Sequence, residues 1–341
     1  MTEIVEKPKP VRGTAKAIAW GIIRHENGIL AIILVAIVAA MGVLSKGLAV
    51  TRLNLTNIIL QSSTRGLAAI GQTFVILTAG IDVSVGGLSL LAMICGASLM
   101  RGVSEYTLFY EPQAANVTNP ALGIGVLILV GLGVGLFNGV MVSRVGMPGL
   151  IVTLAMWRIT QGLGFIVSHG ETIGNLPGLV DFIGKGHIAG VPVPIVIFVA
   201  SVVIAYFILH HTSFGRAVYA VGGNPVSAWL CGINVRNLLL FTYVISGFCA
   251  AMAGMIIMGR LGSASLAAAS GLEIDSIAAV TIGGVSLMGG RGTIIGALLG
   301  VLILGTISNG MNILNIDPAL QGVVKGVIII VAVAIDYIRR R

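Results

Sequence analysis

Asp82 is the sole charged side chain between Gly71 and Met100, in the stretch GQTFVILTAGIDVSVGGLSLLAMICGASLM. A carboxylate amid that much apolar surface is costly unless partners satisfy it. Asp82 precedes Val83-Ser84-Val85-Gly86-Gly87, and an Asp ahead of a helix can accept hydrogen bonds from its first free N–H groups and favour the positive end of its dipole. The plain expectation is an N-cap at a tight connection. The functional one is a helix break, with Asp82, Ser84, Gly86 and Gly87 forming a gate that opens and closes, since irregular backbone is tolerated within a bundle where it lines a cavity.

Other polar groups lie inside apolar runs. A charge at the centre of a span costs about 2.5–3.5 kcal/mol on insertion scales, so Arg65 and Arg158 should face protein or a wet cavity. Arg65 closes the run Gln61-Ser62-Ser63-Thr64-Arg65, whose side chains can satisfy one another between packed helices. Arg158 and Gln161 share a helix face. Gln72, Phe74, Asn138, Trp157, Asn309, Asn312 and Gln321 are uncharged hydrogen-bonding or aromatic groups that could line a polar pathway through the bundle. Each can equally bridge packed helices. Lys325 is expected to snorkel to the interface, and His210-His211 lacks the further spacing of a metal site. No nucleophile, base and orienter occur as a set. No phosphate-binding G-x-x-x-x-G-K-[ST] motif is present, Gly184-Lys185-Gly186 being the nearest approach, so the energy must come from a partner or an ion gradient.

These residues must be positioned by membrane-spanning helices. The 341 residues are 56% hydrophobic and 9% charged, with 48 glycines, and mean hydropathy is +1.03. A water-soluble core of this length would not show that profile. The expected fold is an all-α, polytopic helical bundle of about ten spans, some short or broken: Gly28 to Ser45, Leu55 to Ala79, Val83 to Met100, Ala121 to Ser143, Pro148 to Ser168, Val193 to Leu209, Leu238 to Gly259, Ile277 to Met288, Thr293 to Met311 and Ala319 to Tyr337. The eighth is short and is expected to be completed by the preceding SASLAAASG stretch. Residues 28–338 form one membrane domain between a basic tail (1–27) and a cytoplasmic end (339–341). Cys95, Cys231 and Cys249 have neither disulfide nor zinc spacing and read as packing residues.

Basic residues gather in the tail, at Arg144, Arg216, Arg236 and Arg291, and in the terminal Arg339-Arg340-Arg341, which puts both termini in the cytoplasm. This bias accounts for the net charge of +8 without nucleic acid. Glu105, Glu111, Glu171, Asp181, Glu273, Asp275 and Asp317 are assigned to outer segments. With no acid well inside a span, proton or sodium coupling is disfavoured. In the longest inner loop, His210 to Asn237, Asn224-Pro225 starts a short surface helix and Gly232 stops it.

Three polar and glycine-rich segments carry a resemblance: Gly71 to Leu90, Gly215 to Val235 (ending VGGNPVSAWLCGINV) and Thr281 to Leu314 (TIGGVSLMGGRGTIIGALLGVLILGTISNGMNIL). In order and spacing, from about Leu55 to Asp336, the chain resembles the permease subunit of bacterial simple-sugar ABC importers. The resemblance implies a bacterial inner-membrane subunit that pairs with a second permease copy and works with a cytoplasmic ATPase of two nucleotide-binding domains and a periplasmic sugar-binding protein. ATP and Mg would be bound by the ATPase, with no cofactor in this chain. It also implies that Asn224, Pro225, Val226, Ser227, Ala228 and Gly232 form the coupling helix that docks on the ATPase. The family's Glu-Ala-Ala core is here Val226-Ser227-Ala228, so its glutamate is missing, and the family's arginine is replaced by Gln161. Permeases for nucleosides or branched-chain amino acids share parts of these signatures and stay open as alternatives, as does an ion-coupled secondary transporter.

Overall fold

The computed structural model describes residues 26–101 and 119–338. The basic tail, the segment holding Glu105 and Glu111, and the terminal arginines lie outside the described residues. The described residues form thirteen α-helices: α1 (Glu26–Leu44), α2 (Arg52–Leu77), α3 (Val85–Arg101), α4 (Pro120–Val140), α5 (Gly149–Ser168), α6 (Gly178–Lys185), α7 (Val193–His211), α8 (Ser213–Gly223), α9 (Pro225–Leu230), α10 (Val235–Leu261), α11 (Leu272–Ile282), α12 (Ile294–Ile313) and α13 (Pro318–Ile338). The strands described are β1 (His187–Ile188) and β2 (Val191–Pro192), which pair antiparallel.

Six helices (α1, α4 with its π-helical extension to Val145, α5, α7, α10 and α12) are long and apolar enough to cross a membrane, and parts of α3 and α13 form shorter apolar helices. Nine expected spans coincide with helices to within a few residues. The eighth does not: α11 begins at Leu272, five residues before the expected Ile277. The small side chains of SASLAAASG carry no periodic apolar signal, and Glu273 and Asp275 read as solvent-facing. The sequence reading also misses α6, the β1–β2 hairpin and α8.

Helix α2 occupies the centre. It contains Asn54, Gln61, Ser62, Ser63, Thr64 and Gln72, yet nearly every residue from Ser62 to Leu77 is buried. A polar helix is stable there because neighbouring helices surround it; against lipid its side chains would lack partners. Its polarity is therefore a mark of an interior position.

Helix α10 packs along α4 through glycines. A Cβ on Gly135 would lie 2.6 Å from the Tyr243 carbonyl oxygen, one on Gly131 2.7 Å from that of Gly247, and one on Gly247 2.9 Å from Gly135 Cα. Small residues let the two backbones approach this closely. G247L should force them apart and destabilise the protein by about 1–3 kcal/mol or more. Thermal melting in detergent checks this, and an unchanged melting temperature would contradict the packing described.

After α10 the chain turns at Gly262 (φ 68°), and Ala264 pairs with Ile173 through two 2.9 Å backbone hydrogen bonds. The chain then runs back into the bundle, so that Glu273, in the first turn of α11, lies against Gly86 near the start of α3. Glu273 and Asp275 are thus inside the bundle, which corrects their assignment to an outer segment. Glu273 is only 5% exposed. Asp275 bonds Arg65 Nε at 3.0 Å and Lys325 Nζ at 3.1 Å, and Arg65 stands at the midpoint of α2.

Candidate coupling site at a helix break

Helix α2 ends at Leu77 through a turn closed by Ala79 N–H donating to Ile76 C=O (2.9 Å) and Gly80 N–H to Val75 C=O (3.0 Å). Ala79 takes the left-handed conformation (φ 61°), a position usually held by glycine. Its methyl packs on Gly289: a Cβ there would lie 3.0 Å from it.

Asp82 follows that turn and is fully buried. It is not the N-cap residue itself, for α3 starts at Val85 and Ser84 C=O accepts from Leu88 N–H at 2.8 Å. Asp82 Oδ1 instead accepts from Ser84 N–H (3.0 Å) and Ser84 Oγ (2.6 Å), and Oδ2 accepts from Ser246 Oγ (2.7 Å) on α10. Asn138 Nδ2 on α4 donates to Ser84 Oγ at 2.9 Å. Thr153 Oγ1 on α5 donates to Ile81 C=O at 3.3 Å. With its amide oriented to satisfy both contacts, Gln72 donates to the Asp82 carbonyl (3.1 Å) and accepts from Asp82 N–H (3.2 Å). Four helices therefore hold one short piece of irregular backbone by side-chain hydrogen bonds.

The break is not at a bundle end. Arg144 meets Asn237 at one end of α4 and α10, and Ser246 lies nine residues further along α10, about 13.5 Å of helical rise. Asp82 thus sits within the bundle, not in a surface connection. The Asn138 Oδ1 and Tyr243 Oη atoms are buried without hydrogen-bond partners among the described residues. Tyr243 Oη lies between Gly80 and Gly149, where a Cβ on either would crowd it.

The three sequence signatures converge at the end of α2. Gly290 N–H donates to Leu77 C=O at 2.9 Å, Tyr219 Oη of α8 donates to Gly292 C=O at 2.8 Å, and a Cβ on Gly222 of α8 would collide with Leu77 O. Phe74 and Phe214 pack ring against ring, centroids 6.3 Å apart. Helix α8 leads directly into α9, whose cap is as expected: Asn224 Oδ1 accepts from Val226 and Ser227 N–H, both at 3.0 Å, and Gly232 stops it with φ 83°. Ala228 is buried, whereas Val226, Trp229 and Leu230 are 65%, 66% and 72% exposed. A continuous path of contacts runs from this apolar surface through α8 to the residues just before Asp82.

G222V should disrupt this path, since the Leu77 carbonyl and the Gly290 N–H leave no room for a side chain. The measurement is thermal melting in detergent, with a clear drop expected and a wild-type melting temperature contradicting the geometry.

The residues expected along a solute pathway do not converge. Gln72 and Asn138 belong to the break, and Phe74 to the α2–α8 contact. Trp157 C=O accepts from Thr160 Oγ1 at 3.0 Å, and the Arg158 guanidinium lies 4.5 Å over the Trp157 ring on an exposed face of α5. Asn309 exchanges amide hydrogen bonds with Asn54 at 2.9 and 3.0 Å. Asn312 accepts from Gln321 Nε2 at 2.9 Å. Gly86 approaches Glu273, and Gly87 approaches Trp157 and Thr160.

Several expectations are corrected. Arg65 pairs with Asp275, while Ser63 and Thr64 beside it bond the backbone carbonyls of Leu60 and Gln61. Lys325 also pairs with Asp275. Cys249 is buried, but Cys231 is exposed and is no packing residue. Sequence reading misses Ser246, Tyr243 and Tyr219, because lone hydroxyls in apolar helices carry no periodic signal.

Comparison with known proteins agrees with this architecture. The family model described as "Branched-chain amino acid transport system / permease component" matches residues 54–333. The ribose import permease protein of Bacillus subtilis (strain 168) is 39% identical over 287 residues, 83% of this chain and 84% of that protein. The fructose import permease protein of Rhizobium meliloti is 38% identical over 318 residues, 91% and 85% of the two chains. The D-allose transport system permease protein of Escherichia coli (strain K12) is 38% identical over 307 residues, 89% of each. No solved structure matches. With a match that spans most of the helices and the whole of the break-to-α9 path, the chain belongs to the family of transport-system permease components.

Proposed function

We propose that the chain is the membrane-spanning subunit of an ATP-binding cassette importer, that it carries a simple sugar, and that a separate cytoplasmic ATPase drives it by docking on α9. The observation that carries this reading is α9 itself. A short, firmly capped helix presents Val226, Trp229 and Leu230 to the outside while its other side is tied through α8 to the break at Asp82. Exposed aromatic and aliphatic side chains on a rigid element suit a partner groove. The docking is apolar here, with Val226 in the place of a glutamate, and no ion pair through that position is invoked.

A sugar is favoured over a branched-chain amino acid, despite the family description, because these relatives are named for ribose, fructose and allose. A periplasmic binding protein would deliver the sugar at the α6 end of the bundle. ATP and Mg would be bound by the ATPase, placing the α9 end in the cytoplasm of a bacterial inner membrane. Arg158 supports a second permease copy, since an exposed arginine at mid-helix would cost about 2.5–3.5 kcal/mol against lipid. A partner copy would cover it.

The test is W229E in the full assembly. Uptake and binding-protein-stimulated ATP hydrolysis should both fall about tenfold or more, as for loss of a central interface anchor, while the melting temperature of the isolated permease is unchanged. Full activity in W229E would contradict docking at α9.

A further inference from the structure

Between the C-terminal end of α10, the middle of α2 and the segment leading into α11 lies a cavity of about 360 Å³. Its rim includes the exposed Leu261 and Ser270, and its floor the buried Ala269 and Leu272. The polar wall is formed by Gln61, Thr64, Arg65, Arg260, Ser270 and Asp275. None of these belongs to the break or to α9.

We propose that this cavity is a waypoint that holds one neutral monosaccharide during its passage through the permease, a proposal that rests on the sugar-importer reading above. Its volume is at the small end of sites that enclose a small molecule, roughly 300–1,000 Å³. Its wall mixes donors (two guanidiniums) with acceptors (the Asp275 carboxylate) and groups that act as both (Gln61, Thr64, Ser270). A sugar hydroxyl is itself donor and acceptor and needs that mixture. Arg65 has a free hand for it: Nε is committed to Asp275, whereas Nη1 is buried without a hydrogen-bond partner among the described residues. A buried donor left in that state is costly, and an incoming hydroxyl would satisfy it. The Asp275 carboxylate is offset by its partners Arg65 and Lys325, and Arg260 leaves the wall net positive, which opposes a cationic solute; the fit to a neutral sugar rests on the mixture of donors and acceptors.

The assay uses the complete importer, permease with its ATPase and binding protein, in proteoliposomes, with ATP-dependent uptake and stimulated ATP hydrolysis followed for D-ribose, D-fructose and D-allose. R260Q removes a cavity charge and S270F fills the cavity from its rim. The expected result is uptake reduced about tenfold or more, the size of losing one charged hydrogen bond, with ATP hydrolysis retained. If S270F does not assemble, S270C, introduced with the native cysteines replaced by serine, keeps the test decisive. A charged thiol reagent should label it, and the transported sugar should slow that labelling, whereas D-glucuronate should not. Wild-type uptake in R260Q and S270F, or labelling of S270C that no transported sugar slows, would overturn the waypoint. Protection by glucuronate alone would overturn its neutral specificity. Absence of ATP-dependent uptake in the unmodified assembly would instead overturn the importer reading on which the proposal rests.

Discussion

Replacing Asp275 with leucine should all but abolish recovery of folded permease. The carboxylate is the shared anion for Arg65 Nε at 3.0 Å and Lys325 Nζ at 3.1 Å, so its loss leaves two cations facing each other inside the bundle. Removing one partner of a fully buried ion group typically costs about 3–5 kcal/mol; with side chains 17–26% exposed, partial solvation of the remaining charges lowers the cost of each here. Here two charges are orphaned, and they join three helices, α2, α11 and α13. Replacing the whole group with apolar residues is often neutral, so D275L/R65M/K325M should recover much of the melting temperature lost in D275L. Monodispersity and thermal melting in detergent measure both variants. A D275L protein that melts like the wild type, or a triple variant no better than D275L, would contradict the role assigned to the ion group.

The second large effect is expected at the break. D82A removes the acceptor for Ser84 N–H, Ser84 Oγ and Ser246 Oγ, each a buried donor whose orphaning costs about 1–3 kcal/mol. Transport should be lost and the melting temperature lowered. D82N is the informative companion. Its amide oxygen can still accept from Ser84 and its nitrogen can donate to Ser246 Oγ, so much of the fold should survive. A double-mutant cycle between D82N and S246A reports the strength of the link between the break and α10. Equal behaviour of D82A and D82N, or strict additivity with S246A, would show that the hydrogen bonds do not hold the break.

How far the sequence reveals this arrangement depends on the range of the interactions. The apolar spans follow from run length alone, and the α9 cap from two adjacent residues, Asn224 and Pro225. Asp82 stands out because one carboxylate in thirty apolar-rich residues demands partners. What those partners are is not legible: Ser246 reaches Asp82 and Asn138 reaches its neighbour Ser84 from helices distant in the chain, and serine within an apolar helix has no signature. The ion group is hidden for the same reason, and Asp275 is further disguised by its small-residue surroundings. Its placement outside the spans is what argues against ion coupling at the level of sequence. With Asp82, Glu273 and Asp275 all inside the bundle, that argument no longer stands, and the ion-driven alternative is disfavoured instead by family membership. The polar residues expected along a pathway are engaged mostly with neighbouring helices, as Asn309 is with Asn54, because an amide in a tightly packed bundle finds another amide sooner than it finds solute.

In the proposed function, the exposed face of α9 and its contacts through α8 to the break would carry a partner's motion into the bundle. The most direct test is uptake by proteoliposomes holding the permease alone or with its ATPase and binding protein, under imposed proton and sodium gradients and with or without ATP. Accumulation that requires the whole assembly and ATP is the expected result; accumulation by the permease alone, driven by either gradient, would contradict it.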